Sequence, residues 1–217
     1  MLPKRKIEYA GAIYHVLARG VDRRRIFVDS EDYETYIRLL AVVVKRQGWY
    51  LLSYCLMPNH VHLLIETPDT NLANGMQWLH SLYARAFNRR HGRRGHLFEA
   101  PYRSPFVVTE GALIQTTGYI VANPLAASLC TRAAEWPWGS HAQVEKPGPV
   151  PRWLAHERLA KGLDEAGGTG CYGEIVAARE RLWAEVIQER REGSRAASRV
   201  TQSISLVRVS SAVRSRM

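Results

Sequence analysis

The chain has 217 residues, with 30 Lys and Arg against 20 Asp and Glu, a formal charge of +10 and 46% hydrophobic residues. At roughly 150 residues per domain, that allows one generous folded domain or one domain plus an appendage and excludes a large multidomain assembly. The longest unbroken apolar run, 39–44, is far below the ~18 residues a bilayer demands, and no apolar leader opens the chain, so the expectation is a cytoplasmic protein without membrane contact. Cys55, Cys130 and Cys171 are scattered and form neither a disulfide framework nor a CxxC zinc knuckle; they read as small core residues.

In chain order, 12–18 (AIYHVLA) is rich in β-branched and aromatic residues and reads as a strand, followed by a turn-like GVDRRR segment. A helix follows, capped by Ser30, with Glu31, Asp32 and Glu34 at the positive end of its dipole. Tyr33, Tyr36, Ile37, Leu40, Val43 and Val44 recur along it at helical spacing until Gly48. Residues 49–57 and 60–67 are two β-rich runs around Pro58-Asn59, a hairpin with a tight turn. A second helix spans about 72–90 and buries Met76, Leu79, Leu82, Tyr83 and Phe87. Residues 95–108 look extended, and Thr109 opens a third helix that Pro124 closes.

The order β, α, β, β, α, β, α predicts an α+β fold, a ferredoxin-like antiparallel sheet with helices on one face. The first domain spans 1–145. Pro- and Gly-rich composition then announces a small helical C-terminal appendage over 146–190, and the Ser- and Arg-rich stretch 191–217 reads as a disordered basic tail.

Charge placement says more than charge total. Arg85, Arg89, Arg90, Arg93 and Arg94 form a block without a single acid, and the tail is the second basic patch. Such blocks neutralise phosphates and release counterions, which favours nucleic-acid contact for the first; the tail reads equally as solvated chain.

The densest chemical signal is His60-Val61-His62. In a strand both imidazoles emerge on one face, with Glu66 further along it, while Val61, Leu63 and Ile65 point into the core. The pair can hold one divalent metal or simply form a polar sheet face, and two ligands do not complete a site. On the third helix Leu113, Thr117, Ile120 and Val121 form the apolar face, whereas Gln115, Tyr119 and Asn123 recur four apart on the other side. Tyr119 with Asn123 one turn later is either a nucleophile beside a third metal ligand or an ordinary surface pair.

The words GAIYHVLARG (11–20), LMPNHVHLLIETP (56–68), FNRRHGRRGHLF (87–98), YIVANPLAASL (119–129) and WPWGSH (136–141) together resemble the single-tyrosine HUH transposases of the insertion-sequence-200 type, most closely the REP-associated tyrosine transposases. The resemblance implies a metal-dependent single-strand DNA endonuclease and transesterase cleaving near a hairpin or palindromic repeat. It implies His60 and His62 as ligands of Mg²⁺ or Mn²⁺, Asn123 as the polar residue one turn after the nucleophile, and Tyr119 as the residue that attacks the scissile phosphate. Arg85, Arg89, Arg90, Arg93, Arg94 and Arg103 are the expected DNA contacts, on a monomer or homodimer associated with the nucleoid. Where relatives carry Gln-Gly-Arg after GHLF this chain has Glu99-Ala100-Pro101, which keeps open an alternative, a domesticated hairpin-binding protein with little cleavage. Gly168, Gly170 and Gly173 fit GxGxxG literally, but no strand leads in, and they read as a turn.

Overall fold

The computed structural model describes residues 7–99, 102–166 and 172–191. The tail from 192, Ala100, Pro101, Gly168, Gly170 and Cys171 lie outside the described residues. The elements are β1 (Ala12–Arg19), α1 (Ser30–Gln47), β2 (Tyr50–Met57), β3 (His60–Thr67), α2 (Leu72–Arg90), α3 (Glu110–Ala126), α4 (Ser140–Glu145), α5 (His156–Glu165) and α6 (Tyr172–Arg191). The three strands form an antiparallel sheet in the order β1-β3-β2.

Residues 97–99 and 102–107 run antiparallel along the outer edge of β1. The N–H groups of Val107, His15 and Leu17 donate to the carbonyls of Ile13, Pro105 and Arg103, and further along Glu99 N–H donates to Arg19 and Val21 N–H to Leu97. The first three bonds keep one register and the last two another. This irregular edge supplies the fourth strand position of the ferredoxin-like arrangement.

Local chemistry explains the element ends. The Asp29 carboxylate, in extended backbone, accepts the N–H groups of Glu31 and Asp32, so the cap of α1 is Asp29, and Ser30 is the first helical residue. Gly48 closes α1 at φ 67°, a left-handed turn that a Cβ would strain, and its N–H donates to Val44. Pro124 does not close α3: the helix runs to Ala126 with the proline inside its last turn, and Ala127 N–H still reaches the Asn123 carbonyl. A proline this near the C-terminus removes a single donor.

Two cores flank the sheet. On one face Tyr14, Val16, Tyr54, Leu56, Val61, Leu63 and Ile65 pack with Tyr36, Leu40 and Val43 of α1 and Met76, Leu79, Tyr83 and Phe87 of α2, the ferredoxin-like helix pair. On the other, Leu52, Cys55, Met57 and Leu64 pack against Leu113, Ile120, Val121 and Leu125 of α3, which is itself covered by Leu159 and Leu163 of α5 and Ile175, Val176 and Trp183 of α6. Helices α5 and α6 thus share a core with the sheet. Gly118 faces α6, where a Cβ would lie 2.6 Å from the Arg179 Nε and 3.2 Å from Ile175. The third helix therefore has two buried sides, and its Tyr119 flank abuts the sheet instead of solvent.

Candidate active site

Residues directly opposite in antiparallel strands share a face. His62 lies across from Leu17 on β1 and Cys55 on β2, His60 across from Arg19 and Met57, and Leu17 is bridged in turn to Arg103 on the edge segment. One face thus carries His60, His62, His15, Arg19 and Arg103. The Tyr119 ring of α3 stands edge-on to His62 at 5.3 Å and to His15 at 5.8 Å between centroids. His15 Nε2 and His62 Nδ1 are hydrogen-bonded at 3.0 Å, and His60 Nδ1 is 2.7 Å from the Asn59 carbonyl oxygen Oδ1.

Asn123 is the junction between helix and strand. Its Nδ2 donates to the Tyr119 carbonyl at 2.8 Å, and its side chain interacts with both His60 and His62. Even so, nothing meets His62 Nε2 at hydrogen-bonding geometry, and that atom is buried. Burial pushes His60 and His15 down to about 4. For His60 the charge of Arg19 adds to burial and Asn123 partly offsets both. His62 is held well below its ordinary value by burial first, then by His15, His60 and Arg19. All three imidazoles are therefore neutral at neutral pH, the form in which a ring nitrogen can ligate a metal.

The donor set fits a divalent cation. Two neutral imidazoles and an amide converge beside an unpartnered buried Nε2, and further positions remain for phosphate oxygens and water. Among the described residues no three His, Cys, Asp or Glu side chains group to hold a metal, and the amide that interacts with both imidazoles is that of Asn123. Glu66 shares the face but is taken by Arg158 of α5 in a two-pronged ion pair, both bonds 2.7 Å.

The arginines divide. Arg85, Arg89, Arg94 and Arg103 are exposed, and Arg93 lies 5.7 Å over the Phe87 ring. Arg90 is different: it bonds Asp29 at 2.7 Å, Asp32 at 2.8 Å and Glu31 at 3.1 Å, tying the end of α2 to the start of α1. Its charge is already matched by three carboxylates within the fold. Helix α2 lies on the opposite face from the histidines, so its arginines do not enter the site. They flank the end of the sheet where β3 begins, because Tyr83 donates to the Ile26 carbonyl while Ile26, Phe27 and Gly20 donate to Pro58 and Asn59. The exposed Arg23, Arg24 and Arg25 of the β1–α1 loop lie at that end too. Sequence reasoning missed His15 and Arg19; their alternation in AIYHVLAR was legible, but which strand they would face was not.

The site thus sets a helix-borne tyrosine against two strand histidines of a ferredoxin-like sheet. Residues 8–123 match the family model of IS200-like transposases, more than half of the chain, and the chain belongs to that family. Its function is accordingly transposase-like, in DNA transposition. The solved structure of a REP-associated tyrosine transposase bound to a REP hairpin shares the fold, with TM-score 0.56 over 70% of this chain and 94% of that one at 15% identity. A protein from Deinococcus radiodurans described as a transposase matches 54% of this chain and 95% of that one at 24% identity, with TM-score 0.40. No curated protein matches the chain.

Proposed function

We propose that the chain is a metal-dependent single-strand DNA endonuclease and transesterase that cleaves beside a hairpin, with Tyr119 as nucleophile and His60, His62 and Asn123 as the metal-holding side chains. The observation that carries this reading is the Tyr119 ring edge-on to His62, with Asn123 one turn on interacting with both strand histidines. The Tyr119 phenolic oxygen forms a bond to phosphorus as the bond from phosphorus to the 3′ oxygen breaks. The phenol loses its proton, and the departing oxygen takes one up to become a free 3′-hydroxyl, leaving a 5′-phosphotyrosine link that the same hydroxyl reverses on rejoining. A bound Mg²⁺ or Mn²⁺ supplies charge stabilisation at the phosphate.

This chain's own residues do the rest. Helix α3 holds the phenol rigidly on the histidine face, and the buried imidazoles stay neutral and ready to ligate. Arg19 and Arg103 put positive charge on the same face. The solved neighbour is bound to a REP hairpin; for this chain, exposed Arg85, Arg89 and Arg94 and half-buried Arg93, beside the β1–α1 loop, are the proposed grip on a duplex stem. The test is a labelled single-stranded hairpin with flanking sequence, incubated with the full chain and Mn²⁺. Nicking with a covalent adduct mapped to Tyr119, and binding without adduct by Tyr119→Phe, are expected. An adduct on another tyrosine or full cleavage by Tyr119→Phe overturns the assignment, and tight binding without nicking by the native chain favours the binding protein.

A further inference from the structure

The two strand histidines can hold a cation only through Nε2, and that depends on where each ring carries its proton. We infer that Asn59 and His15 are positioning residues that fix the proton of His60 and of His62 on Nδ1, leaving both Nε2 lone pairs turned toward Asn123. The inference rests on the metal reading of His60 and His62.

For His60 the hydrogen bonds leave one solution. Asn59 Nδ2 donates to the Arg23 carbonyl at 3.0 Å, which fixes the orientation of the amide, so the atom 2.7 Å from His60 Nδ1 is the acceptor Oδ1. An acceptor there demands a proton on His60 Nδ1. The Arg23 carbonyl is itself set by backbone in the left-handed region, φ 57° at Arg23 after φ 55° at Asp22. The β1–α1 loop thereby acts on the histidine through the Asn59 amide.

For His62 the partner is an imidazole, and the 3.0 Å approach of His15 Nε2 to His62 Nδ1 permits two proton placements. If His15 donates, His62 must carry its proton on Nε2, a buried donor whose neighbouring acceptor, the Asn123 oxygen, does not meet it at hydrogen-bonding geometry. If His62 donates, Nε2 is a buried lone pair beside the Asn123 amide, the electronic counterpart of His60. Only the second makes the two rings equivalent ligands. Metal-bound histidines are generally held this way through the other ring nitrogen. A free histidine prefers its proton on Nε2, so each ring here is held in the less favoured form by a named neighbour.

The test reads the metal-free full chain first. Long-range ¹⁵N–¹H correlation should show His60 and His62 both protonated on Nδ1. His15→Phe keeps an aromatic ring under Tyr119 but removes the acceptor, and should move the His62 proton to Nε2; His15→Gln retains an acceptor and should keep it on Nδ1. Asn59→Ala should release His60 in the same way. Mn²⁺ titration followed by electron paramagnetic resonance should then show about 10- to 100-fold weaker binding for His15→Phe and Asn59→Ala, and near-native binding for His15→Gln. Either native histidine protonated on Nε2, or unchanged Mn²⁺ affinity in both weakened variants, overturns the inference while leaving the metal reading intact. No Mn²⁺ binding by the native chain overturns both. Should a variant fail to fold, the native spectrum and His15→Gln still decide.

Discussion

Replacing Asp32 with Asn separates the arginine that builds the fold from those free to meet phosphate. The Asp32 side chain is 2% exposed, yet its oxygens take Val28 N–H at 2.8 Å, Arg90 at 2.8 Å, and His91 Nε2 at 2.9 and 3.0 Å. An amide of the same shape has one acceptor and one donor, so one of its edges must turn an N–H toward Val28 or toward Arg90. Losing charge-assisted bonds in a buried site while forcing donor against donor costs about 2–4 kcal/mol. The ion pairs from Arg90 to Asp29 and Glu31 involve exposed carboxylates and compensate little. With a urea slope of roughly 1–3 kcal/mol per molar, the midpoint should fall by about 1–2 M. On the DNA side, Arg90→Gln should leave the dependence of hairpin affinity on salt unchanged. Combined neutralisation of Arg89, Arg93 and Arg94 should flatten it by roughly 0.7–0.9 log units for each phosphate that is no longer neutralised. An unmoved urea midpoint in Asp32→Asn, or an Arg90→Gln slope that falls as for the other arginines, would refute the division.

Stability should decline in acid: burial holds His80 down to about 4 against 6.5 in the unfolded chain. Because the unfolded state binds the extra proton, His80 alone should remove about 3 kcal/mol as pH falls from about 6.5 to about 4, with no further loss from this group below; a urea midpoint flat across that window contradicts it. Gly75→Ala places a Cβ 2.2 Å from the buried Trp49 ring, whose N–H donates to Asn71 at 2.6 Å. The helix-propensity gain of about 1 kcal/mol should be outweighed, giving about 1–3 kcal/mol net loss by thermal unfolding. Ending the chain at residue 145 removes the cover that α5 and α6 lay on α3, exposing Leu113, Val121 and Leu125. Loss of near-ultraviolet dichroism and aggregation are expected, and a soluble, cooperatively unfolding 1–145 fragment would show that α3 holds its place unaided.

Local pattern determined much of this protein. The period-two alternation of VHLLI set which side of β3 faces α1 and α2, the 3.6-residue period of 33–44 set the buried stripe of α1, and PN between two β-rich runs set the hairpin, since each depends only on residues adjacent in the chain. Joined to the resemblance, the same pattern singled out His60, His62, Tyr119 and Asn123. The tertiary structure alone decided what lay across from them. His15 and Arg19 reach the histidine face because β1 pairs with β3 in one particular register, and Arg90 leaves the free cations because α1 begins within reach of the end of α2. The second core decided the rest. Helices α5 and α6 close over α3, and Tyr119 and Asn123 of its polar flank are set against the histidine strand while Gln115 stays exposed. A helical period fixes the angles between side chains but not the surface that each angle meets; that is settled only when segments distant in sequence compete to bury the same face.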